Sequence, residues 1–267
     1  MWLPRFARCR PLSTSPAFDA SLAARLYWKG LYDAHRDAFT LPDVSPTLLR
    51  HWPLLSGAPA PGPAAPAAAP PPPPRRILAP LCGRDISLTW LASQPGWQVV
   101  GVDFADSALR QLGAEVGGLL PVGAQQGSEG AFRVENYPAL LLLHADFMAL
   151  PAAALAAGFG AAWDRGGLTS MAAGAERAAY AARLAGALAP GGRLLLELLA
   201  TNVDMDGALR DAAEGRACLE GAGLRVEVLE ERDVRGEYPQ FRPPGLKRLT
   251  EVVLLAERPA GAAPRAP

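Results

Sequence analysis

The spacing of apolar positions divides the chain into a helical N-terminal stretch, a tract with no core-forming pattern, and a long run in which strand and helix signatures alternate. From Ser21 to Phe39, Leu22, Leu26 and Leu31 with Trp28 and Tyr32 predict an amphipathic helix and its exit. It carries more aromatic surface than one short helix needs, so it must dock on something. Residues 57–74, GAPAPGPAAPAAAPPPPP, cannot build a core and predict an extended, polyproline-like linker. A role as a ligand for aromatic-lined grooves is weakened by arginine appearing only at its end.

Beyond the linker the pattern predicts strand Ile77 to Leu81, helix Asp85 to Ser93, strand Gln98 to Asp103 and helix Ser107 to Val116. Gly117 to Asn136 has few apolar residues and several glycines, and reads as an excursion or loop. Leu140 to His144 follows as a buried strand, then a short helix from Pro151 to Ala157, a strand ending at Trp163-Asp164 and a helix from Gly174 to Ala189. Pro190-Gly191-Gly192 then opens a leucine-rich strand, Arg193 to Leu199. A helix reaching about Gly223 precedes two final strands, Leu224 to Leu229 and Leu249 to Ala256. Alternation of this kind means crossover units and a parallel sheet. The last two strands have no helical pattern between them and should be antiparallel.

Composition narrows the function more than the fold. The 267 residues carry 26 basic and 26 acidic side chains, so no overall field draws the chain to nucleic acid or to an anionic membrane. No apolar run reaches the roughly 18 residues that span a bilayer, and a soluble protein is expected. Cys9, Cys82 and Cys218 are odd in number and widely spaced, which suggests neither a disulfide framework nor a zinc site and points to a reducing compartment. Residues 1–18 combine Arg5, Arg8 and Arg10 with Ser13, Thr14 and Ser15 before the first acid, Asp19. That is the composition of a transit peptide or of a disordered basic tail, so cytoplasmic and mitochondrial locations are both open. The reading by segments is therefore a leader or tail over 1–18, a helical arm over 19–56, the linker, a main domain over 75–258, and a disordered tail over 259–267.

In an open parallel sheet the ligand crevice lies beyond the carboxyl ends of the strands. The residues there are Leu81 to Asp85, Asp103, Asp146 with Phe147, and Asp164 to Gly166. Asp103 follows Leu81 by 22 positions, near the interval of about 20 at which an acid meets ribose hydroxyls in dinucleotide folds; a helix-capping role is the competing reading. The turn after the first strand has one glycine, Gly83, whereas a pyrophosphate needs a glycine-rich approach to a helix N-terminus. A cofactor without a pyrophosphate, bearing an amino-acid moiety, fits this turn better. S-adenosylmethionine is such a molecule, and a nicotinamide dinucleotide is disfavoured.

The segments PLCGRDISLTWLA, VVGVDFADSALRQL, LHADFMALP, WDRGGLTSM and YAARLAGAL, in that order, resemble the thiopurine methyltransferase family of class I S-adenosylmethionine-dependent methyltransferases. WKGLYDAHRDAF in the arm adds to the resemblance, which covers most of residues 26–257. It implies a Rossmann-like α/β fold with a mostly parallel seven-stranded sheet, a C-terminal antiparallel hairpin and an N-terminal helical arm that closes over the site. For the site it implies cofactor contacts for Trp28, Tyr32, Leu81, Gly83, Asp103, Asp146, Phe147 and Arg165, and a substrate-side contact for Phe39. It also implies that Asp164 fixes Arg165 or its loop.

An in-line methyl transfer needs a positioned nucleophile and no metal. An aromatic thiol or a hydrosulfide is already substantially ionised near neutral pH, so a strong general base is not needed and a nearby cation that lowers the thiol's pKa helps more. Arg165 is the expected catalytic cation, and Arg242, between the last two strands, a second substrate-side candidate. His35 and His144 are weaker candidates as bases, and Cys82 reads as a small buried residue, not a nucleophile. The run LLATNVDMDGALRDAAEG departs from the family's proline- and aromatic-rich loop after the fifth strand, so the acceptor pocket must be built differently. The expected partner is a small-molecule acceptor, a small thiol or related soft nucleophile, with sulfide, selenium species and halide-like anions left open, and the expected state is a monomer. A protein that binds the cofactor without transferring the methyl group is the alternative.

Overall fold

The computed structural model describes residues 20–37, 39–57, 75–122, 130–155, 158–203, 208–238 and 244–261. The expected leader, nearly all of the linker, Arg242 and the last six residues lie outside this set.

One nine-stranded sheet organises the chain, in the order β3-β4-β5-β2-β1-β6-β7-β9-β8. Its centre is parallel: β1 (Arg75–Pro80) lies between β2 (Trp97–Asp103) and β6 (Phe159–Arg165), with β5 (Tyr137–His144) beyond β2 and β7 (Leu188–Thr201) beyond β6. These central strands are continuous apolar runs because helices cover both faces; six of the seven residues of β2 are buried. β8 (Arg225–Asp233) and β9 (Leu249–Glu257) close the other edge as the expected antiparallel pair. At the start of β7, a side chain at Gly192 would meet the carbonyl oxygens of Ala189 and Phe159 at 2.8 Å, so the Pro-Gly-Gly junction needs glycine there.

The sheet has two more strands than the seven expected. The segment read as an excursion carries β3 (Leu119–Pro121) and β4 (Gly130–Val134), antiparallel to each other, with β4 antiparallel to β5. Both strands are short and mostly exposed or half-buried, so their hydrophobic signal is weak. They are held by pairing and by Leu119, whose side chain fills the space beside Gly113 on helix α4 (Asp106–Val116).

The arm holds two helices, α1 (Ala20–Asp33) and α2 (Pro46–Ser56). The local signals for α2 are strong: Ser45 Oγ accepts from Leu48 N, Pro46 opens the helix, and Gly57 ends it in the left-handed region at φ 58°. Trp52 on α2 meets Trp90 of α3 (Ser87–Ala92) and Trp97 edge to face, each at 5.4 Å between ring centroids. Arg75 and Arg193 donate to the carbonyls of Ser56 and Leu54, so two cations satisfy the end of α2 where carbonyls are otherwise orphaned. The arm is thereby joined to the sheet at both ends of α2.

The remaining helices are α5 (Ala152–Leu155), α6 (Gly167–Ser170), α7 (Ala175–Ala187) and α8 (Ala212–Gly221). Among the described residues no helix is long and apolar enough to cross a membrane.

Candidate functional site

A cleft of about 1510 Å³, counting its solvent-facing mouth, opens at the carboxyl ends of the parallel strands. Its rim includes Trp28, Tyr32 and Phe39 from the arm, and its wall includes Leu81, Asp103, Asp146 and Arg165. This is where an open α/β sheet places a ligand.

The β1–β2 side is built from main chain. Leu81 has φ 48° and Gly83 φ 52°, so the chain leaves β1 in a left-handed turn. A non-glycine residue in that region costs of order 1–3 kcal/mol, and such strain collects where a surface must be presented to a ligand. Asp103, at the end of β2, closes the turn: one carboxylate oxygen accepts from Gly83 N and the other from Ala105 N, each at 2.7 Å. The carboxylate thus braces the two adjoining turns and lines the cleft; it does not cap α4, whose N-cap residue is Ala105 and supplies no side-chain bond. Burial lifts its pKa to about 6, with the Ala105 and Gly83 N–H groups opposing the rise. Two acceptor bonds leave lone pairs on both oxygens.

Tyr32 reaches into this turn. Its phenol oxygen occupies the space that a side chain at Gly83 would fill, which is why glycine is required there. Phe39 stands edge to face against both Trp28, at 5.1 Å, and Tyr32, at 5.6 Å. Three aromatics separated in sequence therefore act as one wall.

The β6–β7 side is built from side chains. Arg165 donates Nε–H to Glu197 Oε1 at 2.8 Å and Nη1–H to the Phe39 carbonyl at 3.0 Å. Burial disfavours its charge, but Glu197, Asp85 and Tyr238 together hold the guanidinium protonated more firmly than usual. Ser45, the cap of α2, donates its hydroxyl to Glu197 Oε2 at 3.1 Å. Asp85 accepts from Trp163 Nε1 at 2.8 Å, which fixes its carboxylate in the wall.

Several expected residues take other places. Of the two roles expected of Asp164, the loop and not Arg165 is the one found: it accepts from Gly167 N at 2.7 Å and from Tyr180 OH at 3.0 Å, and burial raises its pKa to about 6. It fixes the loop after β6. Phe147 is fully buried in the core, edge to face with Tyr180, and is not among the side chains lining the cleft. Asp146 does line it and also accepts from Met148 N. His144 bonds the Phe104 carbonyl, and neither it nor His35 lines the cleft. Burial, with Asp103 and Asp85 nearby, pushes the Cys82 thiol far up, so it is no nucleophile. Asp85 stands in the crevice as its place after the first strand predicts, whereas Glu197, Tyr238 and Ser45 were not anticipated; of these only Ser45, just before Pro46, carried a local signal.

The donor set suits a cationic, amino-acid-bearing nucleoside. Five carboxylates line the cleft against three cationic side chains. Buried Asp103 still has acceptor capacity, and Trp28, Tyr32 and Phe39 line the same cleft.

The model of the family "Thiopurine S-methyltransferase (TPMT)" matches residues 23–259. Thiopurine S-methyltransferase of Azotobacter vinelandii is 35% identical over 234 residues, covering 87% of this chain and 98% of the relative. That of Pseudomonas fluorescens strain Pf0-1 is 33% identical, covering 85% and 95%. These relatives are bacterial and lend the mitochondrial expectation no support. Among solved structures, phosphoethanolamine N-methyltransferase 2 of Haemonchus contortus, in complex with phosphomonomethylethanolamine and S-adenosylhomocysteine, superposes with a TM-score of 0.55 at 14% identity. The match covers 94% of this chain and 62% of that one and establishes the shared fold. A family match over nearly the whole described chain, meeting a cleft at the place the fold prescribes, means that this protein belongs to the thiopurine S-methyltransferase family and is an S-adenosylmethionine-dependent methyltransferase.

Proposed function

We propose that the cleft transfers the methyl group of S-adenosylmethionine to a small thiol held beneath the aromatic arm. The observation that carries this reading is Asp103, a buried carboxylate fixed by Gly83 and Ala105 that still faces the cleft. When bound, the cofactor supplies an electrophilic methyl on a sulfonium. Asp103 accepts the ribose hydroxyls, Leu81 and the Gly83 turn bound the amino-acid end, and Asp146 borders the base. Trp28 and Tyr32 border the cofactor, whose sulfonium gains from the ring quadrupole over an aromatic face, while Phe39 seals the acceptor side and excludes water.

Arg165 serves as a positioning residue as well as a charge. Its bond to the Phe39 carbonyl holds the arm down, and its pairing with Glu197 reduces the field available to lower a thiol's pKa. The nucleophile is therefore best supplied by acceptors already ionised near neutral pH, whose single charge the sulfonium matches. A single chain completes this cleft, so the proposed active unit is the monomer: the arm of residues 20–57 closes over the domain of residues 75–258.

The test is a thiol panel assayed for methylated product by mass, alongside calorimetric titration with S-adenosylmethionine. Binding of the cofactor and transfer to at least one small thiol is the expected result; cofactor binding without transfer to any thiol overturns the acceptor assignment.

A further inference from the structure

The cations bordering the cleft are already paired. Arg84 is bound to Asp37 at 2.8 Å and also to Glu115, and Lys29 is bound to Asp33 at 2.8 Å and Asp106 at 3.2 Å. Arg165 lines the cleft on its β6–β7 side, where Phe39 is placed toward the acceptor in the reading above, and there Glu197 neutralises it at 2.8 Å.

Glu197 is built into the wall. It is 6% exposed, it stands on β7 next to β6, and its two oxygens are divided between Arg165 and the Ser45 hydroxyl. Burial favours its protonated form and the nearby Glu251 adds to this, while Arg165 and Ser45 pull toward the carboxylate. Glu251 is itself paired with Arg232 at 3.1 Å. Asp85 also lies close to Arg165. An anion approaching Arg165 from the cleft thus meets a guanidinium whose charge is already matched, with two carboxylates beside it. At such a site a second negative charge has no free cation among the described residues, and like-charge juxtaposition in a poorly solvated wall is strongly unfavourable.

We infer that Glu197 is a specificity-determining residue that limits the acceptor to one negative charge, the reacting sulfur itself, and turns away thiols carrying a further anionic substituent. This deepens the thiol reading above and rests on it for the identity of the nucleophile. Glu197 does not take part in the bond changes: the sulfur–carbon bond to the acceptor forms as the sulfonium's carbon–sulfur bond breaks, and the pair of electrons leaves with the cofactor's sulfur.

The decisive comparison is between 4-mercaptobenzoate and 4-mercaptobenzamide, nearly isosteric thiols that differ by one charge. The wild-type protein is expected to favour the amide by at least about tenfold in kcat/KM, and Glu197→Gln to shift the carboxylate-to-amide ratio upward by about tenfold. A second readout is binding of benzoate and benzamide to protein saturated with S-adenosylhomocysteine, which needs no transfer. If neither thiol is methylated but wild-type protein binds benzamide over benzoate, the thiol assignment fails and the charge filter stands. Equal handling of both probes by wild-type protein, including no detectable binding of either, overturns the inference whether or not the variant folds. So does an unchanged ratio in folded Glu197→Gln.

Discussion

On the β2 side of the cleft Asp103 is held by two main-chain N–H groups, Gly83 and Ala105, both within reach of its own turn and the one beside it. On the β7 side Arg165 is held by Glu197 and by the Phe39 carbonyl, and Glu197 in turn by Ser45. The first arrangement depends on backbone path and tolerates change in neighbouring side chains. The second is a chain of side-chain contacts reaching from the arm to the far half of the sheet, so changing one member disturbs the others. A cofactor side that varies little and an acceptor side free to change are what this difference predicts.

The largest effect should come from breaking the side-chain chain. Arg165→Ala leaves Glu197 buried without its cation, and loss of a partner at such a site costs about 3 kcal/mol or more. Protonation of Glu197 limits the damage, so the loss measured by denaturant unfolding should shrink as pH is lowered. An unfolding free energy within error of wild type would show that Glu197 is not held by this pair.

Asp103→Ala acts on the other side and should weaken S-adenosylmethionine binding by about 1.5–3 kcal/mol, the range for hydrogen bonds to a charged group. Calorimetry decides it, and unchanged affinity would remove Asp103 from the cofactor site. Phe147→Leu offers the contrast, since the side chain sits in the core: lowered stability with cofactor affinity unchanged is expected.

Acidity distinguishes Asp103 from the rest more gently. Its pKa is raised from 3.8 to about 6, so the folded protein holds a proton that the unfolded chain has released. Asp103's contribution to stability is present below about pH 4 and is lost as pH rises through about 6. Cofactor affinity should run the opposite way, because the ionised form is the better acceptor: a fall of about fivefold from pH 6 to pH 5, about 1 kcal/mol, flattened in Asp103→Asn. The smallest effect is expected at the arm. Ser45→Ala removes the cap of α2 and one partner of Glu197, at about 1 kcal/mol in thermal or denaturant unfolding. A cost equal to that of Arg165→Ala would mean that the arm, not the ion pair, holds this side together.

Much of the β1–β2 side of the cleft was legible because its determinants lie close in the chain. A strand run ending in PLCG and an acid 22 positions after Leu81 place Leu81, Gly83 and Asp103 at adjacent strand ends once the sheet is parallel. The β3–β4 hairpin was not legible, because short, partly exposed strands leave little hydrophobic pattern and are fixed by pairing. Helix α2 could have been read from Ser45-Pro46 and Gly57. Phe147 was placed in the site by its position after a strand's carboxyl end and by the family resemblance, yet its side chain turns inward against Tyr180.

The sequence by itself determined the parallel sheet, the antiparallel finish, the position of the cleft and the type of cofactor, since each follows from local periodicity and from the short turns that strand ends impose. Only the tertiary structure decided how charge is distributed within the cleft. Arg165 and Glu197 are 32 positions apart, and Ser45 and Glu197 are 152 apart. Nothing in the spacing of such residues says they meet, because their contact is set by strand order across the sheet and by where α2 docks. Pairing changes what an arginine can do, and pairing is a property of the folded chain.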